Sequence, residues 1–446
     1  PVVQSDNIGL FSTIYADSII KNLTIEIPFN EELTSEVESK KLTAGQDLYV
    51  DVTQNETTRF GILAGTNNGI VTNALVVNPA KANAIRTSRD KTLKDNGGMD
   101  ENDNSAMSVN IDTRTTSIVR VSSNITPSAQ SRIAGLVGVN SGYITKSSVQ
   151  NVSIFGDNFV SGFVCENSSI IGTSSAVGVN VSASASPTLN TALGASGFVL
   201  INNKNASIVE CMVEGATNAL NGGTIDTTGL VRNHSVRNQN TFVNSTANAT
   251  GFVFNNEGSV TDCYSNVVIL GTLTSGFVFA NGEDGKINNS IAFSSVYANQ
   301  ITAQPFTATK GSGTSYNNLG SITNCYYFIG KEESFTEPDS TSGAVALNAG
   351  SITKDVLDSF AFGVDENDFA SIWYMKKYKG NNFPRLTSVD RVSLSLRVYS
   401  ATDIENVAQK IYSGILAWDD NYRMNTLTIT TPMRSFSRND ISVTIN

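Results

Sequence analysis

The chain repeats one short phrase, a glycine followed by an aromatic or aliphatic residue and then by a second apolar or small residue. Between Gly135 and Pro305 the copies lie roughly 22 to 35 residues apart, the length of one supersecondary unit in a stacked array. One such unit cannot bury its apolar face alone, so the repeat predicts that neighbouring units stack. The copies are Gly9-Leu10-Phe11, Gly61-Ile62-Leu63, Gly135-Leu136-Val137, Gly162-Phe163-Val164, Gly197-Phe198-Val199, Gly229-Leu230-Val231, Gly251-Phe252-Val253 and Gly276-Phe277-Val278, with Pro305-Phe306-Thr307 as a degraded ninth.

A second phrase follows several of these copies, in which an asparagine precedes a glycine and an aliphatic residue by a few positions. Asn and Gly tolerate positive φ at low cost, and the flanking Phe, Val and Ile favour strands. Each unit is therefore predicted to form a strand, a tight turn, a second strand and a variable return. We expect an all-β protein, a β-solenoid (β-helix) of about nine stacked coils with inserted loops or hairpins. The second phrase occurs at Gly142-Tyr143-Ile144, Gly258-Ser259-Val260, Gly285-Lys286-Ile287 and Gly320-Ser321-Ile322.

Three of the four cysteines share one position of the repeat, three residues after an aliphatic residue. They are Cys211, Cys263 and Cys325, and Ser147 and Ser290 occupy the same position in other copies. A spacing of three breaks the alternation of a flat strand, so we expect a bend that lets both residues point inward. With one coil between successive cysteines, their sulfurs would lie about two 4.8 Å steps apart, beyond bonding distance. Buried thiols are therefore favoured over disulfides or a metal site.

A column of phenylalanines recurs at one fixed position of the repeat, which favours a core position over a sugar-stacking surface. These residues are Phe163, Phe198, Phe252 and Phe277.

The stretch "GLVGVNSGYITKSSVQNVSI", which begins at Gly135, resembles the GLUG motif, a Gly-Leu-aliphatic-Gly repeat of secreted and surface-anchored bacterial proteins. The resemblance covers roughly residues 9 to 330, and it implies a β-solenoid found in large adhesins and in some immunoglobulin A peptidases. The zinc motif of those peptidases is absent from this sequence. Only the copy at Gly135 has the full motif; elsewhere its last glycine is replaced by Ala64, Cys165, Leu200, Arg232 or Phe254.

The sequence predicts three regions: a solenoid over 1–330, a capping region over 331–394, and the start of an α+β module over 395–446. Two insertions, 30–58 and 79–132, are predicted to project as loops or arms, which are common sites of binding. Within the second, Ser108–Asp112 and Ser117–Val121 alternate like the two arms of a hairpin.

The region after residue 330 contains the features of a cap. A short helix is predicted within 350–363. Proteins that resemble this one commonly close a solenoid block with a Trp and a Pro-x-Leu, which implies that Trp373, Pro384 and Leu386 cap the end of the stack. In the last region, Thr402 and Glu405 form a capping box that predicts a helix, followed by a strand. The abrupt ends suggest that the chain is a segment of something longer, or that its ends pair with other subunits.

Composition excludes several classes of function. Charged residues make up 16% of the chain and the net charge is −10, which argues against nucleic-acid binding and against anionic membrane surfaces. No apolar run is long enough to cross a bilayer. The single histidine, His234, excludes a zinc site with two or more histidines.

Asp100, Asn102 and Asn104 have the spacing of a calcium loop, but the loop glycine and the twelfth acidic residue are missing. A solvated acidic turn is therefore favoured over a calcium site at these residues, and the sequence indicates no other cofactor.

We expect a noncatalytic extracellular protein of the adhesin type, a rigid spacer that presents binding loops to other proteins or surface glycans. It would contact neighbouring modules of a longer chain or other subunits. One alternative is a structural subunit of an extracellular fibre or virion. The other is a carbohydrate-active enzyme, which needs clustered carboxylates. Glu210 and Asp262 occupy the same repeat position, just before a cysteine, but are expected two coils apart, where solvent-facing turn residues are favoured over a catalytic pair.

Overall fold

A computed structural model describes the protein, and within the residues it describes the chain is almost entirely β-structure in stacked parallel strands. The single helix in that part of the chain is Thr387–Asp390. The described residues are 2–3, 6–27, 48–52, 58–78, 117–123, 131–184, 194–214, 223–225, 231–233, 242–245, 248–293, 295–308, 317–329, 343–348, 372–378, 381–390, 395–399 and 428–432.

The first sheet has fourteen strands arranged in two rows, which meet where one long strand, Val268–Ser275, belongs to both. All of its pairings are parallel. One row comprises Val2–Val3, Leu48–Val52, Ser117–Ser123, Val152–Asp157, Asn180–Ser184, Phe242–Ser245, Val268–Ser275 and Ser295–Gln304, and the other Asn7–Ile8, Arg59–Gly61, Arg132–Ala134, Phe159–Ser161, Gly194–Ser196 and Asn248–Thr250.

Three further parallel sheets each take one strand from successive repeats. The second sheet comprises Phe11–Ile14, Ala64–Asn67, Val137–Asn140, Val164–Asn167, Val199–Asn202, Val253–Asn256 and Val278–Asn281. The third comprises Ile19–Lys21, Ile70–Thr72, Tyr143–Thr145, Ile170–Gly172, Ser207–Val209, Ser259–Thr261, Lys286–Asn288 and Ser321–Thr323. The fourth comprises Thr24–Glu26, Leu75–Val77, Ser148–Gln150, Ser175–Val177, Met212–Glu214, Tyr264–Asn266, Ile291–Ala292, Cys325–Ile329 and Ala344–Asn348.

Three two-stranded pairs lie outside these sheets. Two are antiparallel, Gly223–Ile225 with Val231–Asn233 and Trp373–Tyr378 with Asn381–Leu386. The third, Ser395–Tyr399 with Thr428–Pro432, is parallel.

The repeat contributes its strands in a fixed order, as residues 159–177 illustrate. This stretch supplies Phe159–Ser161 to the first sheet and then one strand each to the second, third and fourth sheets. The strands pair in register with those of the next repeat, for example Ile171 with Ile208 and Val164 with Val199. Equivalent residues therefore lie directly over one another, at the ~4.8 Å spacing of paired strands.

The phenylalanines form one stacked column in the interior. All four of the predicted core phenylalanines are fully buried, so their rings are not available to a ligand. Phe306, in the degraded copy, continues the column above Phe277. The centroid distances are 4.7 Å for Phe163–Phe198, 4.9 Å for Phe198–Phe252 and Phe252–Phe277, and 4.8 Å for Phe277–Phe306. The seven strands of the second sheet and Phe306 give eight stacked levels, and the fourth sheet has nine strands, where about nine coils were expected.

The glycine that opens the phrase is required by close backbone approach. A Cβ built on Gly162 would lie 2.0 Å from the carbonyl oxygen of Gly197 in the next repeat. The same contact recurs from Gly197 to Gly251, at 2.1 Å. Because that oxygen is backbone, it cannot move away as a flexible side chain would, and only glycine fits.

The asparagine of the phrase forms a second interior row, which we call the amide row. Each side chain donates its Nδ2–H to Oδ1 of the next asparagine at 2.8 or 2.9 Å. Six consecutive members have 0–1% exposure, so these amides satisfy one another in a dry interior. The members are Asn67, Asn140, Asn167, Asn202, Asn256, Asn281 and Asn318.

The fourth position of the GLUG-like phrase packs in a second apolar cluster. Cys165, Leu200, Phe254 and Phe279 occupy it and belong to a second buried apolar cluster. Phe254 and Phe279 stack at 4.4 Å. Larger side chains thus replace the motif glycine where this cluster provides room.

Two predictions about the insertions are wrong. Leu48–Val52 and Ser117–Ser123 were expected in projecting arms, but both are strands of the first sheet. Ser117–Ser123 pairs in parallel on both of its edges, so no edge remains for a hairpin partner. Residues 108–112 lie outside the described part of the chain.

The copy at 229–231 is not a stacked repeat. Val231–Asn233 belongs to the antiparallel pair, and the strand Ser207–Val209 pairs directly with Ser259–Thr261. Residues 215–241 are therefore an insertion within one repeat. The three-residue phrase alone could not reveal this, because its glycine and apolar residues suit a hairpin equally well.

Backbone contacts divide the chain into two units, residues 1–386 and 387–446. The predicted boundaries near 330 and 394 stay predictions, because the residues around each lie largely outside the described ranges. The predicted helices within 350–363 and after Thr402 lie outside them as well.

Candidate functional site

A column of left-handed corners separates the third sheet from the fourth. It provides the bend expected before the cysteine position, since Ile208 and Cys211 both point into the core. Asn accepts this conformation readily, whereas Thr and Glu do so at some cost. Its members, with φ between 46° and 54°, are Asn22, Asn73, Lys146, Thr173, Glu210, Asp262, Asn289 and Asn324.

Cysteine and serine can both occupy the position after this corner because they make the same local contact. The Cys211 and Cys263 thiols each donate to the carbonyl oxygen two residues earlier at 3.2 Å. Ser147 and Ser290 do so at 2.9 and 2.8 Å through their hydroxyl groups. A small side chain with one weak donor therefore suits this corner, and a reactive thiol is not required.

The expected separation of the cysteines is wrong for one pair. Because the strand Ser207–Val209 pairs directly with Ser259–Thr261, Cys211 and Cys263 lie in adjacent repeats, and both thiols are buried. Cys325 lies two repeats beyond Cys263, with Ser290 between. All four cysteines are free and buried, and burial raises the pKa of the Cys165 and Cys325 thiols to about 12. These thiols are therefore poor nucleophiles.

Glu210 and Asp262 are also one repeat apart, not two. Asp262 is only 6% exposed, which corrects the expectation of a solvent-facing turn residue. Burial raises the pKa of Asp262, and the nearby Glu210 carboxylate raises it further, while hydrogen bonds from Trp373 and Asn289 oppose the shift. Neighbouring carboxyl groups with one raised pKa can act as a general acid and base.

The buried partners of Asp262 favour a structural role for it. The Trp373 indole Nε1–H donates to Asp262 Oδ1 at 2.9 Å, and Trp373 is fully buried. Trp373 begins the antiparallel hairpin 373–386, so this bond fastens the hairpin to the corner column. A carboxylate held in this way is shielded from a large substrate.

The same hairpin delivers a buried cation to the outer face of the fourth sheet. Arg385 forms an ion pair with Glu214, and their side chains are 3% and 0% exposed. Its Nη1–H also donates to the Tyr264 hydroxyl at 2.8 Å, and its guanidinium carbon lies 5.1 Å from the centre of that ring. The Tyr264 hydroxyl in turn donates to Glu214 Oε1 at 3.2 Å. We call Glu214, Tyr264, Asp262, Trp373 and Arg385 the hairpin lock.

The predicted cap residues all lie in this hairpin. Trp373, Pro384 and Leu386 are buried. The contacts of Trp373 and Arg385 reach repeats in the middle of the fourth sheet, whose last strand is Ala344–Asn348. The capping role stays a prediction.

A row of exposed apolar side chains crosses the outer face of the third sheet. Ile19, Ile70, Tyr143 and Ile170 pair in register across four consecutive strands. Their exposed fractions are 60%, 39%, 50% and 38%. We call these four residues the outer ladder, and it is the candidate binding face of the described residues.

Neither the hairpin lock nor the outer ladder was predicted from the sequence. A signal for the ladder exists, because each member directly precedes a second apolar residue, as in Ile70-Val71 and Tyr143-Ile144. Consecutive strand residues point to opposite faces, so a doubled apolar pair with one buried member places the other outside. The lock joins Glu214 to Arg385 across 171 positions, and no local pattern signals such a pair.

The predicted calcium residues Asp100, Asn102 and Asn104 lie outside the described part of the chain. Among the residues that are described, no group of three His, Cys, Asp or Glu side chains is placed to hold a metal ion. Nor does a helix in that part have the length and hydropathy needed to span a membrane.

The geometry defines the class as a nearly all-β repeat protein with stacked parallel sheets. No protein-family model, curated protein or solved structure matches the chain.

Proposed function

We propose that the four parallel sheets are the walls of a β-solenoid, in which each repeat makes one turn around the shared core. The fixed order of strands within a repeat and the single interior column of phenylalanines support this reading. The glycine copies at 135, 162, 197, 251 and 276 each precede a strand of the second sheet, which supports the resemblance to GLUG-repeat surface proteins.

On this basis the protein is a noncatalytic extracellular surface protein of the adhesin type, a rigid spacer that presents binding surfaces. The observation that carries this proposal is the continuity of the amide row through seven consecutive repeats, together with the phenylalanine column in the last five. An uninterrupted dry core resists bending, and eight repeats at ~4.8 Å extend over about 34 Å between the first and the last. Insertions such as 215–241 leave the stack intact and can vary without disturbing it.

One observation favours a second candidate, a carbohydrate-active enzyme on the same scaffold. Glu210 and Asp262 lie in adjacent repeats, and the pKa of Asp262 is raised. Against this candidate, Asp262 is buried and holds the Trp373 indole. The spacer therefore stands as the primary proposal.

Surface exposure on the source cells tests the primary proposal. Intact cells are labelled with an antibody against residues 131–329 and then treated with a nonpenetrating protease. We expect label on intact cells that the protease removes, and label only after lysis would overturn the proposal.

A glycan-cleavage screen tests the enzyme. The purified protein is incubated with a polysaccharide panel and new reducing ends are measured. We expect none; reducing ends that disappear in both Glu210→Gln and Asp262→Asn would establish the catalytic alternative. Sedimentation velocity on the same sample tests the fibre subunit, which requires concentration-dependent association.

A further inference from the structure

We propose that the outer ladder binds an extended, uncharged polysaccharide chain that runs along the stack. This inference rests on the proposed function of a surface-binding spacer and names its ligand class. The ladder is the apolar row of Ile19, Ile70, Tyr143 and Ile170, one residue from each of four consecutive repeats.

The ladder is straight and regular because its strands pair in register. Three steps of ~4.8 Å give a row about 14 Å long and one side chain wide. A linear polymer of pyranose rings adds a similar length with each unit, so successive rings can lie on successive side chains. The exposed Tyr143 ring provides the largest flat surface in the row.

Uncharged polar groups border the ladder on both sides at its second, third and fourth positions. Asn68, Ser141 and Ser168 are exposed in the turns that precede its strands, while Thr72 and Thr145 stand beside it on the same face. The two threonine hydroxyls hydrogen bond at 3.2 Å and keep further capacity to donate or accept. An apolar strip with bordering hydroxyls and amides complements a sugar chain, which has apolar C–H faces and hydroxyl edges.

The charges near the ladder favour a neutral ligand. The three ladder positions Ile70, Tyr143 and Ile170 have uncharged residues at the neighbouring outer position of each strand. Charged residues beside the ladder are Asp17 and Lys21, of opposite sign at the first repeat, and Lys146 at a corner. A polyanionic chain would need a regular column of cations, as phosphate and carboxylate recognition does.

The fold itself does not require apolar residues in this column. In the later repeats of the third sheet, the same position holds Ser207, Ser259, Lys286 and Ser321. The inward neighbour is buried and aliphatic throughout the middle of the sheet, as Val71, Ile144 and Ile208 are. The apolar character of the first four positions therefore serves something outside the stack.

The area of the ladder argues against a second copy as its occupant. Four half-exposed side chains offer on the order of a few hundred Å², in the range of functional patches on monomers. A stable dimer buries about 800 Å² on each partner. The ladder is too narrow for that without a wider surrounding contact.

The test compares the protein with the triple variant Ile70→Ser, Tyr143→Ser, Ile170→Ser, whose serines copy the residue found at Ser207 and Ser259. Leu319→Ser is the matched control, because Leu319 is 60% exposed and lies outside the ladder. Binding is measured by affinity electrophoresis in gels that contain a neutral β-glucan, a neutral galactomannan or the polyanion alginate.

We expect retardation by at least one neutral polysaccharide, at least tenfold weaker binding by the triple variant, and unchanged binding by the Leu319→Ser control. Circular dichroism and the urea midpoint verify that the variants fold. Wild-type protein that binds neither neutral polymer, or a triple variant that binds as well as wild type, overturns the proposal. Stronger retardation by alginate overturns it too.

Two further outcomes separate this inference from the alternatives. If sedimentation shows a wild-type dimer and a monomeric triple variant, the ladder is a self-contact and the glycan proposal is wrong. Failure of the surface-labelling experiment refutes the proposed function alone, because binding of purified protein in the gel does not depend on cellular location.

Discussion

The hairpin lock yields a prediction with a magnitude. Replacement of Arg385 by Met leaves the Glu214 carboxylate, which is fully buried, without its cation. Breaking a buried pair by removing one partner typically costs about 3–5 kcal/mol, since a charge remains in a medium that solvates it poorly. We expect Arg385→Met to lower the free energy of hairpin docking by about that amount.

The double variant Arg385→Met, Glu214→Leu isolates the cause. With both charges removed, apolar side chains of similar volume fill the site and most of the lost stability returns. The two substitutions are therefore strongly nonadditive, with a coupling of about 3 kcal/mol in a double-mutant cycle.

Trp373 fluorescence measures the effect. The chain has two tryptophans, so the series is made in a Trp418→Phe background in which Trp373 alone reports. Urea titrations give the midpoint and slope for release of the buried indole into water.

The exposed ion pair of Lys204 and Asp284 supplies the control, with side chains 64% and 50% exposed. Lys204→Met should leave the urea midpoint close to that of the parent protein, because solvent screens an exposed pair. The reasoning fails if Arg385→Met costs no more than Lys204→Met, or if the double variant is as unstable as the sum of its single changes.

Three further predictions concern the stack. Asn202→Ala removes the donor to Asn256 and the acceptor of Asn167, so its unfolding free energy in urea should fall by about 2–5 kcal/mol. Asn324→Gly at the exposed corner keeps the left-handed backbone and should stay within about 0.5 kcal/mol. Equal losses would contradict a buried amide row. The raised pKa of Asp262 means that the native state holds its proton to higher pH than the unfolded chain, whose value is near 3.8; this contribution to stability is present below that pH and is lost as pH rises through the native pKa. Asp262→Asn should therefore gain stability relative to wild type as pH is raised from 3 to 7 in thermal melts, and a constant difference would refute the assignment. Gly162→Ala should unfold several degrees earlier in the same melts, because its methyl group meets a backbone oxygen, and an unchanged midpoint would show that the repeats can separate there.

The interior could be predicted from the sequence because the same kinds of core residue recur at the same positions of successive repeats. Phe252 and Phe277 recur with the same neighbours, and stacking like on like is the one arrangement that buries every copy. The bend before Cys211 followed from a spacing that a flat strand does not allow.

Features that depend on distant contacts could not be predicted. Ser117–Ser123 looks like a hairpin arm locally, yet its partners belong to strands before and after it in the stack. The copy at Gly229 has the three-residue phrase, but its strand does not pair within the four stacked sheets. The ion pair of Arg385 with Glu214 could not be predicted, because the two residues are far apart in the sequence. In the sequence Glu214 looks like a surface carboxylate, and only the hairpin that covers it makes it buried.

The amide row also has a direction. In every pair the Nδ2–H of one asparagine donates to Oδ1 of the asparagine in the following repeat. The first repeat has Ile14 at the position where the second has Asn67. The Ile14 side chain has no hydrogen-bonding group, so the amide row begins at the second repeat. There Asn67 Oδ1 accepts a hydrogen bond from the backbone N–H of Gly69 in its own turn, so the first amide of the row is satisfied locally.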